Sequence, residues 1–418
     1  MPVSGSAPPD ACNDELLAQP LRGVVAEGPL TRCQLVAIAV CVMLNMLDGF
    51  DILAMSFAAP GLQGAWQLRD EQLGMLLSAG LIGMCVGSLV LGACADRWGR
   101  RRIVLFGVLL AGCAMAGAAT SSDYSQLLIL RMVTGVGIGG TISSVAVLVS
   151  EYTPDRWRSA ALAVYATGYP VGATVGGALS ALAIPHYGWR AAFAIGAAMS
   201  LILLPIAWFG LPESLVSGRE EGRSPQVREQ LRVLISGQNL LIWILFGATM
   251  LGFYFVVSWT PRLLSAAGLS AAAGLAGGVL LNLGGIAGCG LFAVAAARWD
   301  ARRLLLASLL VSAVGVSAFG LSLNRPEAAL WIALLVGLVS NAAMSGLYSV
   351  GPPLYPAFAR ATGMGWAIGV GRLGAILAPL VSGVLLGRGW SPRHLYTLDA
   401  LAFLAAALAV MILRRSWR

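Results

Sequence analysis

The sequence predicts an all-α integral membrane protein with twelve transmembrane helices in two six-helix bundles. Three observations lead to this prediction. Hydrophobic residues make up 58% of the 418 residues and charged residues only 11%, whereas a globular domain carries about 25% charged residues. Twelve apolar runs approach the length of ~20 residues that a membrane span requires. A polar stretch divides the runs into two sets of six, and both sets contain a similar short segment.

The first set of apolar runs predicts an N-terminal bundle over residues 34–211. Residues 1–33 precede it and contain four acidic residues but no basic n-region of a cleavable signal, so we predict a cytoplasmic N-terminal tail. The six runs cover approximately residues 34–58, 73–95, 103–120, 126–150, 158–182 and 191–211.

The second set predicts a C-terminal bundle over residues 239–413. The polar residues 212–238 separate it from the first bundle and predict a cytoplasmic linker. Residues 414–418 are predicted as a cytoplasmic C-terminus. The six runs cover approximately residues 239–261, 273–296, 304–323, 328–351, 363–387 and 395–413. Two sets of six spans joined by a linker are the arrangement of a transporter built from two repeated bundles.

An internal repeat supports the division into two halves. A similar segment follows the second span of each half, reading GACADRWGRRRIVLFG at 92–107 and AVAAARWDARRLLLAS at 293–308. Aligning Arg97 with Arg298 places Arg101 on Arg302. In the second copy an alanine replaces the acidic residue of the first, so a symmetric role of the two loops is not implied.

The distribution of arginine predicts the orientation. All 27 basic residues are arginines, and most of them lie at the ends of the apolar runs. The loops on the side of the two termini hold about three times as many arginines as the opposite loops, which predicts that both termini are cytoplasmic. No lysine-rich tail is present, so nucleic acid is not predicted as a partner. The predicted environment is a lipid bilayer, and the chain is predicted to act as a monomer.

Two motifs resemble those of the major facilitator superfamily. The loop after the second span reads Gly92-x-x-x-Asp96-Arg97-x-Gly99-Arg100-Arg101, and the fourth span reads Arg131-x-x-x-Gly135-x-Gly137-x-Gly139. The first resembles the loop motif of this superfamily, and the second resembles its arginine-glycine motif. The resemblance covers the whole membrane region and implies the major-facilitator fold, with a pseudo-two-fold axis relating the two bundles.

Two further motifs resemble one group within the superfamily, the aromatic acid:proton symporters that include the 4-hydroxybenzoate and protocatechuate permeases. They are Asp48-Gly-Phe-Asp51 in span 1 and Gly369-x-Gly371-Arg372-x-Gly374-Ala375 in span 11. The resemblance implies a bacterial inner-membrane protein that takes up an aromatic carboxylate by alternating access. Protons are the implied coupling ion, and no other cofactor and no metal site are implied.

Charged residues inside the spans indicate the functional positions without reference to a family. A charge at mid-bilayer costs about 2.5–3.5 kcal/mol, so each needs a partner or a function. Asp48 and Asp51 are three residues apart and share a helix face. Arg131 lies at a similar depth to Asp51, which makes an ion pair between spans 1 and 4 feasible. We predict that these three residues couple transport to protons, the alternative being a static structural pair or a snorkelling helix end.

Arg372 lies near the middle of span 11 between small residues. Its planar, permanently charged guanidinium suits a carboxylate, and no acid in spans 7–11 offers an internal partner. Asp399 in span 12 lies close to the outer end, which makes it a poor partner by depth. We therefore predict that Arg372 binds the substrate carboxylate, and structural pairing is the alternative.

Aromatic and amide side chains of the second half complete the predicted substrate site. The aromatic rings can stack on a substrate ring, although aromatics at span ends are often interface anchors. The amides can bond a ring hydroxyl or a neighbouring helix. The candidates are Tyr254, Trp259, Tyr348, Trp366, Asn282 and Asn341.

The loop motif predicts a conformational gate. Charge pairs across the cytoplasmic ends of helices can favour one access state, and solvated helix ends are the alternative. The predicted gating residues are Asp96, Arg97, Gly99, Arg100, Arg101 and Glu151.

Other functional classes fit the sequence less well. The chain has no nucleotide-binding loop of the GxxxxGK[ST] type, which argues against a pump driven directly by ATP. No catalytic cluster of His with Asp, Glu or Cys is apparent, so an enzyme is not predicted. Another major-facilitator carrier of an organic anion or metabolite, or an exporter of drugs or metabolites, remains the alternative to aromatic acid uptake.

Overall fold

The computed structural model describes residues 31–154, 157–213, 236–266, 271–323, 325–355 and 360–413. Over these residues it contains twelve long helices and no β-strand, which confirms the predicted fold class. The helices are α1 (Arg32–Trp66), α2 (Asp70–Trp98), α3 (Arg100–Ala119), α4 (Tyr124–Tyr152), α5 (Arg158–Tyr187), α6 (Arg190–Gly210), α7 (Gly237–Ala266), α8 (Ala271–Ala296), α9 (Ala301–Ser322), α10 (Pro326–Val350), α11 (Arg360–Gly387) and α12 (Pro392–Ile412). Eleven of them are long and apolar enough to cross a membrane, and α5 is the exception.

Parts of three predicted segments lie outside the described residues. They are residues 1–30 of the N-terminal tail, residues 214–235 of the linker and the C-terminal residues 414–418. Below, the end of the molecule at which α1 begins and α12 ends is called the terminal end, and the opposite end is called the far end.

The helices extend beyond the apolar runs that predict them. Helix α1 begins two residues before its apolar run, where Thr31 and Gln34 form a reciprocal capping box. It then continues past Pro60 to Trp66 at the far end. Apolar composition marks only the part of a helix that lies in hydrocarbon, so it underestimates helices that project beyond it.

The two halves pack their helices in the same way. Helices α2 and α4 pack together as α8 and α10 do, α1 and α5 as α7 and α11 do, and α3 and α6 as α9 and α12 do. The repeated arginines make equivalent contacts, since Arg101 donates to the Trp208 carbonyl at the end of α6 at 2.5 Å. In the other half, Arg302 donates to the Val410 carbonyl near the end of α12 at 2.5 Å. The repeat in the sequence therefore corresponds to a repeat in the structure.

The halves meet mainly through α1, α2 and α5 of the first and α7, α8 and α11 of the second. Ser78 of α2 donates to the Ile376 carbonyl of α11 at 2.8 Å. Nearer the far end, a Cβ on Gly74 would lie only 3.1 Å from the Cα of Gly383. The molecule is therefore closed at its far end, where the two backbones touch.

The seven cysteines have no paired spacing in the sequence, and no disulfide framework is expected from it. Cys41, Cys85, Cys94, Cys113 and Cys289 are free. Cys33 at the start of α1 is disulfide-bonded, so the expectation is wrong for this residue.

Candidate functional site

The ion pair expected between spans 1 and 4 is present. Arg131 Nη1 of α4 lies 2.5 Å from Asp51 Oδ1 of α1. Nη2 lies 3.4 Å from Oδ2 and 3.3 Å from the Asp51 main-chain carbonyl. Both side chains are almost fully buried, at 2% and 0% exposed. A buried pair of this kind is held by its geometry, because each charge would be costly without the other.

Glycines determine where Arg131 lies. A Cβ on Gly135 would overlap the Gly80 carbonyl of α2, and one on Gly137 would lie 2.5 Å from the Gly107 carbonyl of α3. The arginine-glycine motif thus packs α4 against two neighbours at once. At Gly80, a Cβ would lie 2.8 Å from Arg131 Nη2. The space that the guanidinium occupies therefore depends on Gly80, which the sequence reading did not single out.

Asp48 has a different environment from Asp51, although both lie on α1. Asp48 is 7% exposed, and its Oδ1 has no hydrogen-bond partner among the described residues. It interacts electrostatically with Arg372 of the other half and with Asp51. The described residues provide no ion pair to Asp48 within 4.0 Å. The two aspartates therefore differ: Asp51 is ion-paired within the first half, whereas Asp48 interacts with a charge of the second half.

Arg372 is half-buried near the middle of α11. A Cβ on Gly374 would overlap the Gly247 carbonyl of α7, and one on Gly371 would lie 2.5 Å from Met250 Sδ. These contacts fix α11 against α7 on either side of the arginine. No hydrogen bond or ion pair to Arg372 is present within the described part of the chain. The acid that interacts with Arg372 is Asp48 of the other half, whereas spans 7–11 of its own half contain none.

Four tyrosines interact electrostatically with Asp48, and three of them also interact with Arg372. Tyr254 of α7 and Tyr348 of α10 each interact electrostatically with both charged groups. Tyr165 of α5 interacts with both charges as well, and Tyr169 of α5 interacts with Asp48, Asp51 and Tyr254. We call the following set the central cluster: Asp48, Tyr165, Tyr169, Tyr254, Tyr348 and Arg372.

Two members of the central cluster, Tyr165 and Tyr169, were missed from the sequence. Asn45 Nδ2 of α1 donates to the Tyr165 carbonyl at 2.7 Å. A Cβ on Gly49 would overlap the Tyr169 carbonyl. These contacts hold α5 against α1 next to Asp48. The signal available in the sequence was the small-residue face of span 5, which places a helix in close contact with α1 but does not show which side chains face inward.

The other predicted substrate residues make the following contacts. Trp259 is fully buried and its Nε1 donates to the Pro379 carbonyl at 3.3 Å, so it fills the α7–α11 contact. Asn282 and Asn341 each donate to a carbonyl one turn earlier in their own helices, at 2.8 and 3.0 Å. Trp366 is 54% exposed, and its ring lies 6.0 Å from that of Trp243. These contacts do not test substrate binding, so the role of the four residues stays a prediction.

The predicted gating residues gather at the terminal end of the first half. Gly99 joins α2 to α3 with φ of 91°, a conformation that favours glycine. Arg100 forms an ion pair with Glu151 at the end of α4, and the Arg101 guanidinium lies 5.8 Å from the Trp208 ring. Arg97 is exposed, and the Asp96 side chain lies outside the described part. The contacts named here join helices within one half.

A polar link between the halves lies at the far end and was not predicted. Arg262 of α7 donates to Gln63 Oε1 of α1, and its Nη2 lies 3.3 Å from Asp70 Oδ1 of α2. Gln63 also donates to Asp70 at 2.9 Å. These three residues, the far-end link, join both halves where the molecule is closed.

Comparison with known proteins assigns the chain to a family. Residues 39–297 match the model of the Major Facilitator Superfamily. The chain is 31% identical to the 4-hydroxybenzoate transporter PcaK of Pseudomonas aeruginosa, over 92% of this chain and 93% of that protein. It is 30% identical to the gallate transporter of Pseudomonas putida, over 92% of each. It is 32% identical to the 3-(3-hydroxy-phenyl)propionate transporter of Escherichia coli K12, over 91% and 95%.

Solved structures support the fold. The D-xylose-proton symporter superposes with a TM-score of 0.76 at 16% identity, covering 91% of this chain and 97% of that one. The inward-open xylose transporter XylE of Escherichia coli gives a TM-score of 0.75, covering 91% and 96%. The resemblances read from the sequence motifs are thus confirmed. The chain belongs to the Major Facilitator Superfamily, in its group of aromatic acid permeases, and is a transporter rather than an enzyme.

Proposed function

We propose that this chain imports an aromatic carboxylate together with a proton, with Arg372 as the carboxylate anchor and Asp48 as the proton carrier. The observation that carries the proposal is the placement of these two charges. They lie on different halves of the molecule, interact electrostatically, and make no direct ion pair within the described residues. The names of the relatives, which specify 4-hydroxybenzoate, gallate and hydroxyphenylpropionate, support an aromatic acid as the substrate.

The charges of the central cluster explain why a proton accompanies the substrate. In the empty site, the negative charge of Asp48 and the positive charge of Arg372 offset each other without a direct ion pair. A substrate carboxylate on Arg372 adds a second negative charge beside Asp48. Two like charges about 6 Å apart repel by about 3 kcal/mol at an effective dielectric constant of about 20. Protonation of Asp48 removes this repulsion, so substrate and proton each favour the binding of the other.

Asp48 is a better proton carrier than Asp51. Asp51 already holds Arg131 in a fully buried pair, and breaking such a pair would leave an uncompensated buried charge. Asp48 has no such partner within the described residues. The paired Asp51 and Arg131 then support α1 and α4 next to the proton site, and the pH response arises at Asp48.

The closed far end defines the direction from which the site is reached in this conformation. Tyr348 lies near the terminal end of α10 and is 45% exposed, which supports access to the central cluster from the terminal side. With both termini in the cytoplasm of a bacterial inner membrane, as the arginine distribution predicts, this is a cytoplasm-facing state. A single chain supplies both halves of the site, which is consistent with a functional monomer.

Uptake into vesicles tests the proposal. The full chain is reconstituted in proteoliposomes, and uptake of benzoate, 4-hydroxybenzoate and gallate is followed with and without an imposed pH gradient that is acidic outside. We expect accumulation that depends on the gradient and collapses when a protonophore removes it. Gradient-driven extrusion would instead support the alternative function, an exporter. Transport at a rate that does not depend on the gradient would contradict proton coupling.

The role of Arg372 is tested by Arg372→Lys. Lysine keeps the charge but loses the planar fork, so we expect the Kd for the acid to rise about tenfold while the amount of folded protein is unchanged. Arg325→Lys is the matched control, because Arg325 is an exposed arginine at the far end. A variant that folds poorly but retains wild-type Kd would indicate a structural arginine.

A further inference from the structure

Tyr169 has an unusual position among the tyrosines of the central cluster. Its hydroxyl oxygen is buried and has no hydrogen-bond partner among the described residues. Its main chain lies directly on Gly49, the residue that follows Asp48, where α5 crosses α1. A buried hydroxyl without a partner is destabilising. The contact between the two backbones keeps this residue beside the proton site.

The same side chain faces the second half. Tyr169 interacts electrostatically with Tyr254 of α7 as well as with Asp48 and Asp51. Tyr254 in turn interacts with Arg372. A ligand that places its carboxylate on Arg372 and its ring beside Tyr254 would bring its other end toward Tyr169. The ligand end remote from the carboxylate meets a hydroxyl that can donate or accept a hydrogen bond.

We propose that Tyr169 is a specificity-determining residue that hydrogen-bonds a polar ring substituent of the substrate, so that the site selects ring-hydroxylated aromatic acids over unsubstituted ones. This inference rests on the proposed function, because it assumes that Arg372 holds the carboxylate. It assigns the two ends of the ligand to different halves. The substrate then joins the first half to the second through one hydrogen bond and one ion pair.

The relative affinities for hydroxylated and unsubstituted aromatic acids can reveal a hydrogen bond from Tyr169. A site built to hydrogen-bond a substrate hydroxyl discriminates strongly against the analogue that lacks it, because its own polar group is then left unpaired. A purely apolar pocket discriminates much less. Selection through Tyr169 therefore appears as a difference between two ligands that share the carboxylate and the ring.

The test measures Kd for benzoate and 4-hydroxybenzoate on the same preparation of purified full-length protein. For Tyr169→Phe we expect the Kd of 4-hydroxybenzoate to rise about five- to tenfold and that of benzoate to change less than twofold. The ratio of the two Kd values does not depend on the fraction of folded protein. A variant with partial misfolding therefore remains informative.

Tyr396→Phe is the matched control. Tyr396 is fully buried in the second half, and its hydroxyl lies 3.1 Å from Thr260 Oγ1. Removing this hydroxyl is the same chemical change outside the central cluster, so the Kd ratio should stay at the wild-type value. If Tyr169→Phe leaves the ratio unchanged, or weakens both acids equally, the inference about Tyr169 is wrong. If the wild-type protein binds neither acid, the proposed function fails as well.

Discussion

At the scale of single residues, the two aspartates of α1 have different roles because their neighbours differ. Asp51 is enclosed with Arg131, while Asp48 faces Arg372 across the two halves. Their spacing in the sequence shows that they share a helix face, but it does not show which of them is paired. The difference between them comes from α4, which supplies Arg131 to Asp51.

Removing one member of the buried pair should destabilise the protein more than removing both. Asp51→Asn leaves the Arg131 charge buried without a counterion, which we expect to cost about 3–5 kcal/mol. The double variant Asp51→Asn with Arg131→Leu removes both charges and should recover part of this loss. Thermal unfolding in detergent, followed by the loss of the monodisperse peak, compares the variants. If the double variant loses further stability beyond Asp51→Asn, the two side chains do not depend on each other.

At the scale of helices, glycines determine how the elements approach one another and where the charged groups lie. The motif around Arg372 contains glycines of two kinds. Gly374 is in contact with the α7 backbone, whereas a Cβ on Gly369 would meet nothing within 4 Å. The motif is therefore not uniform, and its glycines are predicted to differ in their tolerance of substitution.

Gly374→Ala should displace α11 from α7 and move Arg372, because the added methyl would overlap the Gly247 carbonyl. We expect a Kd for the aromatic acid raised at least tenfold, or a clear loss of folded protein. Gly369→Ala in the same helix should be neutral or slightly stabilising, since alanine has the higher helix propensity. Ligand binding and thermal unfolding of both variants check this. Equal effects of the two substitutions would contradict the packing described here.

At the scale of the whole molecule, alternating access requires that the far-end contacts can separate. The far-end link of Gln63, Asp70 and Arg262 stabilises the conformation seen here. Part-exposed ion pairs contribute about 0.5–1 kcal/mol. Ser78 and the contact between Gly74 and Gly383 add non-ionic contacts at the same interface.

Arg262→Gln should therefore shift the population two- to fivefold toward a state that is open at the far end. Spin labels at positions 64 and 388, in a cysteine-free background, report the separation of the halves. Arg325→Gln is the control, because Arg325 lies at the same end and forms no ion pair with any described residue. An unchanged distance distribution in Arg262→Gln would show that the link does not stabilise this state.

The sequence predicts the fold almost completely, because a span requires an apolar run of about 20 residues and the repeated loop marks two similar halves. It also locates the charged residues of the site, because charges within spans are costly. It does not show that Asp48 faces Arg372, which depends on how the halves pack together. Tyr165 and Tyr169 were missed because the sequence does not show which tyrosines of the first half lie near the site. Nor does it show that the Trp259 indole donates to the Pro379 carbonyl of α11.

The central claim is that substrate binding at Arg372 brings a proton to Asp48. It is tested most directly by counting the protons taken up when the purified protein binds 4-hydroxybenzoate at neutral pH, using titration calorimetry in buffers of different ionisation enthalpy. We predict about one proton taken up per bound ligand in the wild-type protein and none in Asp48→Asn. The variant lacks the carboxylate that the ligand carboxylate repels, so ligand binding no longer favours protonation. Proton uptake that persists in Asp48→Asn, or its absence in the wild-type protein, would contradict the account.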